Sequence, residues 1–153
     1  MERTLIILKP DAIQRRLIGR IIQRFEDKGL AVVAMKLMRI ARELAERHYA
    51  PHKGKPFYPG LIDYVTSGPV VVMVLKGERC IDIARTLMGK TFGYEAAPGT
   101  IRGDFGASRS FNLVHGSDSP DSAKVEIALY FQERELLDYA PPDRTWVFPA
   151  SDV

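Results

Sequence analysis

Six consecutive apolar residues, Val70-Val71-Val72-Met73-Val74-Leu75, constrain this chain more than any other stretch. Successive side chains of a strand point to opposite faces, so a strand made from this run has nothing to offer water and reads as buried. Ser67-Gly68-Pro69 makes the turn before it and Gly77 ends it. Two further runs share the character. Thr4-Leu5-Ile6-Ile7-Leu8 is rich in β-formers and is broken by Lys9-Pro10-Asp11, while Leu30 to Met35 reads as a strand that extends to about Ile40. Between them, Leu17, Ile18, Ile21, Ile22 and Phe25 recur at helical spacing, and Gly29 closes the helix. Glu78 to Met88 repeats the pattern with Ile81, Ala84, Leu87 and Met88, and Gly89 follows as its cap.

The remaining segments are shorter. Arg42 to Ala50 reads as a helix stopped by Pro51, and the stretch from His52 to Pro59 leads into a second helix around Gly60 to Val65. From Lys90 to Phe111 no helix or strand stands out. A loop this long inside a compact domain is usually functional or disordered, and Ile101, Phe105 and Phe111 give this one something to bury, which favours a functional loop packed on the body. Ser119-Pro120-Asp121 has the grammar of a helix start, with a serine cap, a proline at the first position and an acid in the first turn. Ile127, Leu129 and Phe131 then alternate, so a short helix followed by a strand is expected, which returns Glu126 to the neighbourhood of His115. Residues 132–153, with Trp146, Phe148 and three prolines, read as an extended C-terminal arm.

At 153 residues a single domain spanning 1–153 is expected. Lysine and arginine number 22 against 19 acidic residues, a net charge of +3 that suits an anionic small molecule better than the concentrated basic stripe of a nucleic-acid track. One cysteine, Cys80, excludes an intramolecular disulfide framework, so a reducing cytoplasm is the expected compartment. The apolar part of the N-terminus is too short for a signal peptide, and no apolar run approaches a membrane span.

Asn112-Leu113-Val114-His115-Gly116-Ser117-Asp118-Ser119 is where chemistry is expected. Leu113 and Val114 suit a short buried strand and the polar residues suit a turn into a helix, so His115 would face a helix N-terminus, which favours anions. Taken alone, a hydrogen-bonded core histidine competes with a nucleophile beside a phosphate. Lys9, where a buried strand emerges, is a candidate phosphate contact. Ala84 to Thr91 nearly spells a phosphate-binding P-loop, but it closes a helix instead of opening one, and the motif is rejected.

Three segments together settle the matter between those alternatives. TLIILKPDA from Thr4 to Ala12, PGTIRGDF from Pro98 to Phe105, and NLVHGSDS from Asn112 to Ser119 resemble nucleoside diphosphate kinase in order and spacing, and the similarity runs from about Arg3 to Tyr139. The resemblance implies ping-pong transfer of the terminal phosphate of a nucleoside triphosphate to His115, then to a nucleoside diphosphate, with Mg²⁺ carried on the nucleotide. Glu126 matches the carboxylate that orients the histidine, and Ser117 would bond to it. Lys9 and Tyr49 would flank the transferred phosphate. Arg85, Thr91 and Arg102 would hold the outer phosphates, Asn112 would reach the sugar, and Phe57 would stack on the base with Leu61 nearby. Arg109 stands where the family often has a small apolar residue on the other side of the base, Phe92-Gly93-Tyr94 replaces the usual start of the long loop, and Phe111 stands where an arginine is common.

The fold so implied is α/β (α+β) and ferredoxin-like: a βαββαβ chain forming a four-stranded antiparallel sheet covered by helices on one face, with a helical hairpin and a long functional loop. Strands are expected near residues 4, 31, 70 and 127. A homohexamer is the implied assembly, with a tetramer as the alternative. Nucleic acid is not required for the activity. A nucleic-acid or regulatory nucleotide-binding module on the same fold is the competing function.

Overall fold

The computed structural model describes residues 1–152. Strand β1 (Glu2–Leu8) is followed by the short helix α1 (Pro10–Gln14), helix α2 (Ile18–Asp27) and strand β2 (Ala31–Arg39). Helices α3 (Arg42–His48) and α4 (Tyr58–Thr66) form the expected hairpin, joined through a 3-10 turn at Ala50–His52. Strand β3 (Pro69–Gly77), helix α5 (Cys80–Met88), helix α6 (Ile101–Phe105), strand β4 (Val114–Gly116), helix α7 (Pro120–Tyr130) and the short α8 (Arg144–Val147) complete the chain. The four strands form one sheet in the order β2-β3-β1-β4, every pair antiparallel. This is the βαββαβ arrangement with insertions.

The two central strands hold the core. Leu5 to Leu8 of β1 are at most 1% exposed and Val70 to Leu75 of β3 at most 4%, so both alternating sets of side chains are covered. Helices therefore lie against both faces there, not against one as expected. Only β2, at the edge, shows apolar side chains to solvent: Met35 is 55% and Leu37 65% exposed.

The fourth strand is not where the alternation of Ile127, Leu129 and Phe131 placed it. Those residues belong to α7 and its end, and β4 is the three-residue strand around His115, paired with β1 through Ile7 opposite His115. Ala123, Ile127 and Tyr130 are buried at four- and three-residue spacing, which is a helical face. Ile127 and Phe131 lie four apart, so the same residues fit either period. The start of α7 follows its sequence grammar: the side chain of Ser119 accepts the Ser122 N–H at 3.1 Å, and Pro120 occupies the first turn.

The long loop contains α6 and a 3-10 turn at Gly93–Glu95. Five residues with a glycine in the middle carry no readable periodicity. Gly103 is required there, because a Cβ would fall 1.9 Å from the Ala97 carbonyl oxygen, and Thr100 caps the helix by accepting the Gly103 N–H at 3.0 Å. The C-terminal segment returns along its own chain: the Leu137 N–H donates to the Val33 carbonyl at 2.8 Å, the Tyr139 hydroxyl donates to the Val32 carbonyl at 2.9 Å, and Lys76 pairs with Asp138. Farther on, Trp146 is 91% exposed.

Candidate active site

Strand β4 presents His115 from a backbone that is held under local strain. Leu113, two residues earlier, has φ 70°, a left-handed conformation uncommon for a bulky residue without a compensating hold. Here the Lys9 N–H donates to the Leu113 carbonyl at 2.8 Å and the Leu113 N–H donates to Asp11 Oδ2 at 3.2 Å. Asp11 is in turn fixed by the Tyr64 hydroxyl. The end of β1, the start of α1 and α4 thus set the direction in which β4 leaves.

Nε2 of His115 lies 3.0 Å from Oε2 of Glu126, and the Ser117 hydroxyl donates to the same oxygen at 2.6 Å. Ser117 is itself placed by the Leu5 N–H, which donates to its Oγ at 3.3 Å. Burial works to raise the Glu126 carboxyl, but hydrogen bonds from His115, His48 and Ser117 outweigh it and hold the group below the usual carboxylate range. Withdrawal from water lowers the His115 imidazole to about 4, against the opposing pull of Glu126. At neutral pH the pair is therefore an anionic carboxylate and a neutral ring. A neutral imidazole bonded to a carboxylate through Nε2 carries its proton there and leaves the Nδ1 lone pair free.

His48 belongs to this cluster although no motif in its own stretch of sequence marks it. Its Nε2 lies 3.2 Å from Nε2 of His115 and 3.4 Å from Oε1 of Glu126, and its Nδ1 lies 2.7 Å from the Tyr130 hydroxyl. The only local signal is that His48 falls one turn after Leu44 on the inward side of α3, in a helix otherwise dominated by charge. Its ring stacks on Tyr49 with centroids 4.3 Å apart, and Tyr49 meets His115 edge-on at 6.0 Å. The Tyr49 hydroxyl is buried and has no hydrogen-bond partner. Burial pushes its phenol well above the ordinary range, so it remains a donor.

A cationic side faces the same strand. The Lys9 ammonium donates to Asn112 Oδ1 at 2.7 Å, and burial, helped by the nearby Arg102, lowers it to about 7 while Asp11 pulls the other way. Arg102 is buried and is bonded to three backbone carbonyls: Nε to Asn112 at 3.1 Å, Nη1 to Gly89 at 3.0 Å and Nη2 to Val114 at 2.7 Å. Five donors less three leaves two for a ligand. Burial and then repulsion by Arg85 lower the guanidinium to about 10. Arg85 and Thr91 have exposed side chains, and the Thr91 carbonyl accepts from Asn112 Nδ2 at 3.1 Å.

The remaining expected residues stand apart from this cluster. Phe57 is 52% exposed at the mouth of the helical hairpin, its ring 5.3 Å from that of His52, with Leu61 half-buried one turn along. The Arg109 guanidinium lies over the Phe92 ring at 5.0 Å, so the two departures in the loop occupy each other. Phe111 packs against Tyr64 at 5.0 Å. The arrangement offers a neutral nitrogen nucleophile, an anion to orient it, two buried cations and an unpartnered hydroxyl. Those parts suit transfer of an anionic group.

Residues 2–136 match the family model described as nucleoside diphosphate kinase. The chain is 54% identical over 148 residues to the nucleoside diphosphate kinase of Archaeoglobus fulgidus, covering 97% of this chain and 98% of that one. It is 55% identical to that of Carboxydothermus hydrogenoformans, covering 97% and 99% respectively. Among solved structures, the halophilic nucleoside diphosphate kinase of Halobacterium salinarum in complex with CDP superposes with a TM-score of 0.94 at 50% identity, over 96% of this chain and 98% of that one.

Proposed function

Because this chain belongs to the nucleoside diphosphate kinase family, and is on that ground a phosphotransferase acting on nucleotides, we propose that it works by a ping-pong route through a phosphohistidine on His115. The observation that carries the reading is the engagement of Nε2 by Glu126 at 3.0 Å, which leaves Nδ1 of a neutral ring as the nucleophile. Nδ1 attacks the terminal phosphorus of a nucleoside triphosphate, the bond to the bridging oxygen breaks, and the diphosphate leaves with the electron pair. The ring becomes cationic once phosphorylated, and the Glu126 anion stabilises it. A second nucleoside diphosphate then attacks the same phosphorus, and the ring returns to its neutral state. Balancing of nucleotide pools follows from a transfer that is reversible in this way.

Each remaining residue has a part in the same step. Lys9 and the Tyr49 hydroxyl flank the transferred phosphate, since one is a buried cation and the other a buried donor in need of an acceptor. Arg85, the free donors of Arg102, and Thr91 hold the outer phosphates. Asn112, placed by Lys9 and Thr91, reaches the sugar. Phe57 stacks on the base, Leu61 backs it, and Arg109 on Phe92 borders the other side. Positioning and charge neutralisation of this kind dominate phosphoryl transfer. The carboxylates beside the cluster are already bonded, Glu126 to His115 and Ser117, and Asp11 to Tyr64 and Leu113. That donor set fits an anion whose Mg²⁺ arrives on its own phosphates, where the metal lowers the charge that the cations must meet.

CDP in the halophilic relative's structure supports nucleoside diphosphates as ligands here. Exposed Met35 and Leu37 on the edge strand and exposed Trp146 support assembly into a homo-oligomer, a hexamer before a tetramer, to be measured by light scattering. No helix among the described residues is long and apolar enough to cross a membrane. The lone cysteine, Cys80, is buried, in keeping with residence in a reducing cytoplasm. The decisive experiment is incubation with γ-labelled ATP and Mg²⁺. An acid-labile, base-stable label that passes to an added nucleoside diphosphate is expected, and a label that persists in His115→Ala would refute the mechanism.

A further inference from the structure

The groups around Nε2 of His115 have a geometry that the phosphoryl mechanism does not require. Nε2 of His48 and Nε2 of His115 are 3.2 Å apart, Nε2 of His115 is 3.0 Å from Oε2 of Glu126, and Nε2 of His48 is 3.4 Å from Oε1 of the same carboxylate. To orient His115 the carboxylate alone suffices. The second imidazole nitrogen, aimed at the same point, adds a bond to the other oxygen of that carboxylate and none that holds His115 itself in line. Zinc takes imidazole nitrogens and carboxylate oxygens at about 2.0–2.2 Å in a tetrahedron, which puts neighbouring ligand atoms about 3.3 Å from one another. The three distances straddle that value, with Oε2 of Glu126 facing His115 and Oε1 facing His48, so the carboxylate turns to bind through one oxygen or chelates through both when the metal enters.

The surroundings match as well. With Nε2 on a metal, the Nδ1 proton of His48 points to the Tyr130 hydroxyl at 2.7 Å, the outer hydrogen bond that fixes a metal-bound histidine. The Ser117 hydroxyl donates to Glu126 and fixes that ligand too. The His48 side chain is 1% exposed, whereas His115 and Glu126 keep 19% and 16% of theirs, so a fourth position opens on their side to water or a phosphate oxygen. Two histidines and a glutamate with an open fourth position form a recognised zinc set.

We infer that His48, His115 and Glu126 bind a single Zn²⁺ ion, and that zinc held there shuts off phosphoryl transfer. The second half rests on the phosphohistidine reading; the first does not. Zinc on Nε2 of His115 requires the ring proton to move through solvent to Nδ1. That proton covers the lone pair the transfer uses. The His115 ring stays neutral through this exchange of tautomers, and Glu126 exchanges a hydrogen-bond role for a coordinate bond.

The test uses the full chain without nucleotide at neutral pH, titrated with Co²⁺ as a spectroscopic probe and with Zn²⁺ by calorimetry. One equivalent is expected, with the strong visible absorption of tetrahedral Co²⁺ that zinc then displaces. His48→Gln and Glu126→Gln should each weaken zinc by at least about tenfold, with circular dichroism reporting whether each variant is folded; should His48→Gln unfold, Glu126→Gln carries the comparison. Zinc should also block labelling by γ-labelled ATP, and a zinc-selective chelator should restore it with Mg²⁺ in excess. Wild-type affinity in both folded variants, an octahedral cobalt spectrum, or no binding would overturn the site. Binding without inhibition would overturn the second half alone. A protein that binds zinc yet forms no phosphohistidine when free of it would keep the metal site and refute the phosphohistidine reading.

Discussion

The Ser117 hydroxyl and Nε2 of His115 converge on one oxygen of Glu126, at 2.6 and 3.0 Å. The carboxylate is thereby fixed from the strand that carries the nucleophile, although it sits on a helix. Glu126→Gln keeps the shape and removes the charge that a phosphorylated ring calls for. It should slow phosphoenzyme formation by about 10²-fold or more, with nucleotide affinity changed much less. Rapid-quench labelling against ATP concentration separates the two, and an equal loss in both would contradict the assignment.

The proton equilibria of His115 and Lys9 predict a bell-shaped dependence of kcat/KM on pH for the free enzyme. The acid limb should fall near 4, where the His115 ring gains a proton and ceases to be a nucleophile. The alkaline limb should fall near 7, where Lys9 loses its charge. Lys9→Arg, which stays charged, should move the alkaline limb upward by more than about two pH units; an unmoved limb would remove Lys9 from the assignment.

Stability should respond to acid through the same groups. Between pH 6.5 and 4 the unfolded chain takes up the His115 proton that the folded chain refuses, so stability falls as the pH drops through that window. Glu126, held below the ordinary carboxylate value of 4.5, adds stability above that pH and loses it as the pH falls further. Urea midpoints measured from neutral pH down into acid should therefore decline first below 6.5 and more steeply below 4.5, and His115→Asn should flatten the first part.

Phe57→Ala should act on affinity. Base stacking is worth about 1–3 kcal/mol, so the KM for nucleoside diphosphate should rise roughly tenfold or more with kcat changed little. The effect should be similar for purine and pyrimidine nucleotides, since every base has a face to stack; a loss confined to kcat would exclude the role.

Gly103→Ala tests the coupling of the loop to the site. Its Cβ would collide with the Ala97 backbone oxygen, so α6 must shift, and Arg102 beside it would lose its bonds to the carbonyls of Gly89, Asn112 and Val114. A destabilisation of about 1–3 kcal/mol is expected by urea denaturation, together with faster proteolytic cleavage within residues 90–111. An unchanged midpoint would show that the loop yields without cost.

Elements that depend only on neighbours along the chain are legible in the sequence itself. Val70–Leu75 and Thr4–Leu8 declare themselves as buried strands through composition alone, α2 and α5 through apolar residues at helical spacing, and the start of α7 through Ser119-Pro120-Asp121. The segments around Lys9, Arg102 and His115 carry a family resemblance that identifies most of the candidate site. Tertiary structure decides what those signals leave degenerate. Ile127 and Phe131 suit a helix or a strand by spacing, and packing of Ala123, Ile127 and Tyr130 makes the helix. The three residues around His115 become the fourth strand because Ile7 is there to pair with them. His48 enters the site across 67 residues and Tyr130 supports it across 82, contacts that no local pattern encodes. Leu113 likewise holds φ 70° only because Lys9 and Asp11 grip its peptide from the far end of another strand. Local propensity sets which segments can be strands and helices; which side chains meet at Glu126 is set by long-range packing, where no single segment carries the information.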